Sequence, residues 1–336
     1  MVSEESLKVE TVEQQTGARR FFIASAVVTA AFALPLYELV RLSLKSELHS
    51  HLLLIPVVSW YVWRFLDVRT TDGGSGRAAT SPPAQSGRGK SAESDPGRSR
   101  APLCAARLLA AREVPPLVAG ALGLAAMAGY LYLRVSRRLP VTEYLWAGVL
   151  GYLLMLLALA LRTVGWRRLK PHQFAIWFLA FFIPLPLAVT DGMSIALQHG
   201  SAEVTDWLLQ LTGLPVLRDG LLFQLPRLVI RVAEECSGVR STLVLVITSL
   251  IAGKMFLHTG WKRAVLVLAT IPLGLLRNAA RITVLAWLSV NVDAGIILGP
   301  LHERGGPVFF ALSLVPLFGL LWYFKRSEAS KTTAKK

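Results

Sequence analysis

Two carboxylates, a thiol and a guanidinium stand together in "RVAEECSGVRS", residues 231–241. Cys236, one of only two cysteines, follows Glu234 and Glu235 and precedes Arg240 by four residues. On a helix that spacing projects Cys236 and Arg240 along one face, with Glu234 or Glu235 in reach of the arginine. The apolar run "TLVLVITSLIAG" begins directly afterwards, so the cysteine sits at the edge of an expected membrane helix. A thiol at a helix N-terminus is partly stabilised as thiolate by the helix dipole. Ser237 is the expected N-cap, and Gly238 admits a second backbone close to the sulfur. A thiolate attacks a peptide carbonyl and forms a thioester. A histidine can protonate the departing amine and then deprotonate the incoming nucleophile, and an arginine can hold the oxyanion. Arg281 in "LLRNAARITVLAW" and His302 in "LHERGGPVFF" are the side chains of those types. Both are far from Cys236 along the chain, so only the topology can unite them.

The elements that must do so are membrane helices. Of 336 residues, 53% are hydrophobic, and they fall in long runs. Spans are expected at 21–41, 51–66, 115–133, 144–161, 174–190, 241–258, 263–283 and 306–324. The expected fold is an all-α polytopic membrane protein of about eight helices, with a small extracytoplasmic segment before the sixth. "FFIPLPL" at 181–187 puts two prolines in the fifth span, where a kink is expected. The net charge of +15 resides mostly in short segments between the apolar runs, as the positive-inside bias requires. No nucleic-acid-binding motif accompanies it. Two cysteines exclude a disulfide framework, and no cleavable signal peptide is evident.

Five regions follow. Residues 1–20 form a cytoplasmic tail, and 21–66 hold the first two spans. Residues 67–100 are rich in Gly, Ser, Pro and Arg and are expected to be disordered. The rest of 67–114 is basic and amphipathic and suits a membrane surface, with Cys104 as a packed or lipid-facing thiol. The core is 115–325, and 326–336 is a basic tail. "GARR" before the first span and "KRSEASKTTAKK" after the last place both ends in the cytoplasm. "RVSRR" at 134–138 falls outside, against the bias. On this scheme 191–240 is extracytoplasmic, with a short amphipathic helix, a turn at "RDG" and a β-like run "RLVIRVAE". Cys236, Arg281 and His302 then share one face of the bilayer. An arginine near membrane depth requires a partner or an aqueous cavity.

Each of these residues also has a structural reading. A cysteine near a helix start packs as a small hydrophobe, Arg281 suits a snorkelling end-of-span residue, and His302 suits a loop. Among rival functions, a transporter would use intramembrane charge near 277–282, but the charges gather at one face and no inverted repeat is visible. A non-catalytic membrane subunit of an exopolysaccharide export system is the other alternative. His49, His51 and His302 share a side with Glu234 and Glu235, but no HExxH supports a metalloprotease. Ser237 lacks a GxSxG setting for a serine nucleophile. No metal and no cofactor is expected.

"VAEECSGVRS" resembles the cysteine signature of the exosortase/archaeosortase family, which runs close to VAEACSGLRS. "SHLLLIPVVSWYVW" at 50–63, containing His51, is similar to the family's early Ser-His-x-x-Leu-Ile-Pro segment. "FLAFFIPLP" resembles its proline-containing middle span, and "LLQLTGLPVLRDGLLFQLP" its approach to the cysteine. "RNAARI" carries Asn-x-x-Arg through Asn278 and Arg281, and His302 to Gly306 reproduces His-x-x-x-Gly. The resemblance implies a multispanning cysteine protease-transpeptidase of the cytoplasmic membrane, with its site on the extracytoplasmic face. Its partners would be membrane-anchored proteins bearing a C-terminal tripartite sorting signal: a motif such as Pro-Glu-Pro, an apolar span and a basic tail. Cys236, Arg281 and His302 match the presumed triad. Glu234, Arg240, Ser237, Asn278 and His51 are the supporting or substrate-binding set. Glu235 stands where the family often has alanine, and an acidic neighbour raises the thiol pKa.

Overall fold

The computed structural model describes residues 19–65, 101–136, 139–226, 228–232, 238–293, 295, 299 and 305–333; for 47, 65, 101–114 and 331–333 it describes the backbone alone. The expected disordered stretch 67–100 lies outside those residues, as do 1–18 of the expected tail 1–20 and 334–336 of the expected tail 326–336, whose first eight residues continue the last helix. Within them the chain is helical apart from one small antiparallel sheet. Five helices are long and apolar enough to cross a membrane: Pro115–Ser136, Val141–Thr163, Val239–Phe256, Gly260–Asn291 and Gly306–Ser330. Two further pairs, Arg19–Ala31 with Ala33–Lys45 and Trp166–Phe182 with Leu187–Leu211, raise the count to seven if each is one bent span. This is a multi-pass membrane architecture, with five to seven of the expected eight spans among the described residues. The second expected span, 51–66, is a 3-10 segment Glu47–Leu54 followed by an 11-residue helix. Eleven residues rise only about 16 Å, roughly half the hydrocarbon thickness.

The chain divides into two compact units, residues 1–186 and 187–336. In the first, α1 (Arg19–Ala31) and α2 (Ala33–Lys45) are followed by α3 (Ile55–Phe65), α4 (Ala101–Ser136) and α5 (Val141–Thr163). Helices α4 and α5 pack most closely, and glycine is the reason. A Cβ on Gly151 would stand 2.9 Å from the Gly123 carbonyl oxygen, and one on Gly123 would stand 3.1 Å from that of Gly151. Small residues let helix backbones touch where lipid supplies no hydrophobic drive. Glu38 of α2, a carboxylate inside an apolar run, accepts bonds from Tyr130 Oη and Arg134 Nε, each 2.8 Å. That bond resolves part of the charge conflict at "RVSRR": Arg134 is neutralised by Glu38 and is not a free loop cation.

The unit ends in the short helices α6 (Trp166–Leu169) and α7 (Gln173–Phe178), with helical turns beyond them to Phe182. Helix stops at the "IPLP" of 183–186. Each proline lacks an N–H and disfavours α geometry in the residue before it. The fifth span was expected over 174–190 with a kink at its two prolines, followed by a loop with a short helix; the chain is in fact broken at the prolines. Instead a 25-residue helix, α8 (Leu187–Leu211), starts after the prolines.

The second unit contains α8, the sheet β1 (Leu217–Asp219), β2 (Leu222–Leu225) and β3 (Leu228–Arg231), then α9 (Val239–Phe256), α10 (Gly260–Leu268), α11 (Thr270–Asn291) and α12 (Gly306–Thr333). The expected turn at "RDG" is present: Gly220 takes φ +59°, as a two-residue hairpin connection requires. The β-like run forms β3, antiparallel to β2 with Phe223 opposite Ile230. Alternation decides the faces. Phe223, Leu225, Ile230 and Val232 join Ala202 and Leu209 of α8 and Ile282 and Ala286 of α11 in one buried cluster. Arg218 fastens the hairpin to α8 through Glu203 and Asp206.

Candidate functional site

The sheet ends at Arg231, Val232 after it is buried in the same cluster, and α9 starts at Val239, so the segment carrying the cysteine joins a packed strand to a packed helix. Cys236, Glu234 and Ser237 lie outside the described residues, as does His302, which precedes α12. The helices α8, α9 and α11 of the same unit are described.

Gly238 opens α9. It is the N-cap, with φ +73°, and its carbonyl accepts the first helical bond from Thr242 N at 2.9 Å. The expected cap at Ser237 is therefore displaced by one residue. A left-handed N-cap at 238 is open to glycine at little steric cost, and no side chain caps the helix. Among the described residues, what comes closest to Gly238 is a side chain. A Cβ there would stand 2.8 Å from Arg277 Nη2. That nitrogen donates a long bond, 3.4 Å, to the Gly238 carbonyl.

Arg277 and Arg281 are one turn apart on α11 and share a face. Arg277 is only 9% exposed, and its Nη1 has no hydrogen-bond partner among the described residues. Arg281 is half-buried in the interior of α11, which continues to Asn291; the end-of-span position expected for it is not what the structure shows. The helix outlasts the expected boundary at 283, since "VLAWLSVN" contains neither glycine nor proline, and it ends with Val292 as its C-cap. Asn278, also buried, donates from Nδ2 to Ser201 Oγ of α8 at 3.0 Å. Its place is a helix-to-helix tie. Arg240 lies on the first turn of α9 and is exposed.

Glycine again sets the spacing. A Cβ on Gly274 of α11 would meet Thr242 Oγ1 of α9 at 2.8 Å, and one on Gly200 of α8 would meet Leu275 Cδ2 at 2.9 Å. These contacts bring α11 close enough to deliver Arg277 to the start of α9. Sequence reasoning singled out Arg281 and passed over Arg277. The signal was present in "RNAARI", where arginines four residues apart inside an apolar helix must face the same environment.

His51 belongs to the first unit, in Glu47–Leu54. Beside it His49 is buried, with Nδ1 3.0 Å from Ser46 Oγ. Burial, with His51 adjacent, holds His49 below the ordinary histidine range. Among the described residues no three of His, Cys, Asp and Glu converge in a metal-binding group.

A family model of the transmembrane exosortase matches residues 100–319. The match includes the positions of Cys236, Arg240, Asn278, Arg281 and His302 and leaves out His51. No curated protein and no solved structure matches the chain. A match over 220 residues, from 100 to 319, covers well over half of the 336 and takes in the strand, the cysteine segment and both arginine positions, and on it the chain belongs to the transmembrane exosortase family.

Proposed function

We propose that this protein is a cysteine protease-transpeptidase of the cytoplasmic membrane. It cleaves C-terminal tripartite sorting signals at the extracytoplasmic face and passes the acyl group to an acceptor. The observation that carries the reading is Arg277, on the arginine-bearing face of α11, against Gly238, the N-cap of α9 and two residues after Cys236 in the chain. Membership of the exosortase family gives it its chemical direction.

The chemistry follows from the residue types. The Cys236 thiolate adds to the carbonyl carbon beside the sorting motif, and Arg281 holds the resulting oxyanion. Collapse breaks the C–N bond. His302 gives its proton to the leaving amine, leaving a thioester on Cys236. The neutral histidine then takes a proton from the acceptor, which attacks the thioester and releases the sulfur. Glu234 with Arg240 would steady the cysteine segment, and His51 would meet the substrate. The substrate's own apolar span brings its scissile bond to the membrane edge, which accounts for a nucleophile at a helix end there.

The test is co-expression of a membrane protein bearing a tripartite C-terminal signal with wild type, Cys236→Ala, Arg281→Ala or His302→Ala. Wild type should process it. The cysteine variant should leave it intact, and the other two should slow it by about a hundredfold or more. Equal processing by wild type and Cys236→Ala would remove the cysteine from the reaction.

A further inference from the structure

The first unit holds a cavity of about 440 Å³ between α1, α4 and α5. Its place follows from where the helices are pinched. At Gly123 and Gly151 the backbones of α4 and α5 touch, but one turn back a Cβ on Gly120 would meet nothing nearer than Ala158 Cβ, at 3.7 Å. Small residues therefore leave a gap there, and Val28 of α1, Leu124 of α4 and Met155 of α5 complete an apolar wall around it. The charged group on that lining is Arg162, which is exposed on the last turn of α5.

The cavity has a basic end. The first helices run antiparallel to α5: Pro35 lies against Gly148, Thr29 Oγ1 is 3.1 Å from Tyr152 Oη, and Val28 shares the cavity with Met155 and Ala158. Arg19 and Arg20, both exposed, thus begin α1 toward the Arg162 end of α5. Arg167, Arg168 and Lys170, also exposed, follow Arg162 in the chain. Of the carboxylates on these helices, Glu38 is bonded to Tyr130 and Arg134, Glu143 opens α5 at its opposite end, and Glu113 directly follows Arg112 in the chain. An apolar slot that ends in a guanidinium at the end of a membrane helix is complementary to a lipid, with an acyl chain in the slot and a phosphate at the cation. Other occupants match less well. A 20-residue helix about 10 Å across and 30 Å long fills roughly 2,000 Å³ or more, several times the cavity. A substrate span ending in a basic tail would bring like charge to Arg162.

We propose that this cavity binds an anionic glycerophospholipid, one acyl chain lying between α1, α4 and α5 and the phosphate diester paired with Arg162. The positive-inside bias puts such a basic end in the cytoplasmic leaflet, where anionic headgroups meet basic segments beside the membrane. The acyl chain supplies the contacts that an empty gap between the helices would forfeit. The site does not depend on the chemistry assigned to Cys236.

The experiment is a lipid titration of the delipidated full chain in neutral detergent, read by native mass spectrometry. Dioleoyl phosphatidylglycerol is the probe, and dioleoyl phosphatidylcholine is the zwitterionic control with the same acyl chains. Wild type should bind one phosphatidylglycerol about fivefold more tightly than phosphatidylcholine, the worth of one basic side chain at a membrane surface. Arg162→Gln should abolish that preference. Arg41→Gln, at an exposed arginine of α2 outside the cavity lining, should keep it. Gly120→Leu, whose Cβ is accommodated and whose longer side chain enters the cavity, should weaken both lipids. Inorganic phosphate in large excess should not displace the lipid, because the acyl chain holds it. Equal affinity of wild type for the two lipids, or a preference that survives Arg162→Gln, would overturn the site. So would an equal loss in Arg41→Gln, which would show diffuse attraction to a basic surface. In intact membranes, photoreactive benzoylphenylalanine in place of Leu124 should cross-link to lipid. A cross-link to residues 1–18 of the chain or to a protein bearing a sorting signal would replace the lipid with that occupant.

Discussion

Gly238→Ala puts a methyl group where Arg277 Nη2 now lies, and its cost can be worked out from the structure. Two contributions add. At φ +73° a residue with a Cβ sits in the left-handed region, at about 1–2 kcal/mol. The 2.8 Å contact adds the cost of displacing a buried guanidinium, about 1 kcal/mol for a side chain forced off its rotamer. Gly213, at φ +72° with nothing near its missing Cβ, isolates the first contribution. Gly213→Ala should therefore cost about 1–2 kcal/mol and Gly238→Ala about 2–3. The second contribution belongs to Arg277, so it should vanish in Gly238→Ala/Arg277→Met. A double-mutant cycle by equilibrium unfolding in mixed micelles should give a coupling of about 1 kcal/mol, against the roughly 0.5 kcal/mol scatter of independent sites. A cycle that closes within that scatter would refute the contact, and with it the placement of Arg277 at the cysteine helix.

Three further outcomes are expected elsewhere. Gly148→Ala would drive a Cβ to 2.8 Å from Pro35 and 2.9 Å from the Tyr130 ring, neither of which can rotate away; unfolding should show a loss of about 1–3 kcal/mol from overpacking. Lys262 is buried with Glu328 Oε1 3.8 Å from its Nζ, and that carboxylate also accepts from His258 N and Thr259 N; Glu328→Ala should cost about 3 kcal/mol or more, with Lys262→Met/Glu328→Ala recovering much of it. Because His49 is held below the usual histidine pKa, the unfolded chain takes up the proton first as pH falls. Stability from this site is thus complete above about pH 6.5 and lost below it, and His49→Gln should flatten that acid limb in a melting series from pH 7.5 to 5.

What the sequence made legible was apolar length and the order of motifs, because both are local. Four of the eight expected spans lie wholly inside helices that qualify for crossing, a fifth (241–258) overruns its helix by two residues, and 21–41 and 174–190 fall on the two bent pairs. The turn at Gly220 and the strand at Leu228–Arg231 were legible for the same reason: glycine at a two-residue turn, and alternating side chains about it. The count failed where composition and geometry part company. "HLLLIPVVSWYVWRF" is apolar enough for a span, but the chain spends eight residues in a 3-10 segment and leaves too few for a crossing helix. At the site, the thiol was visible because its motif is contiguous. The four-residue spacing of Arg277 and Arg281 was legible too, but the contact of Arg277 with Gly238, thirty-nine residues away, was not.

That contact also explains why so much of α11 near the site is small or satisfied. Gly274 lies flush against Thr242 of α9, Leu275 fills the space left by Gly200 of α8, and Asn278 is tied to Ser201. These three residues fall within five positions and fix the approach of α11 toward two neighbours and its rotation about its own axis. A rotation of one residue, 100° on an α-helix, would carry Arg277 and Arg281 away from α9. The polar tie at Asn278 resists it more specifically than apolar packing could, because turning the helix would leave both Asn278 and the fully buried Ser201 hydroxyl unbonded. The family's Asn-x-x-Arg element then has a physical division of labour in this chain. The asparagine sets the angle of the helix, and the arginine four residues after Arg277 shares the face so fixed.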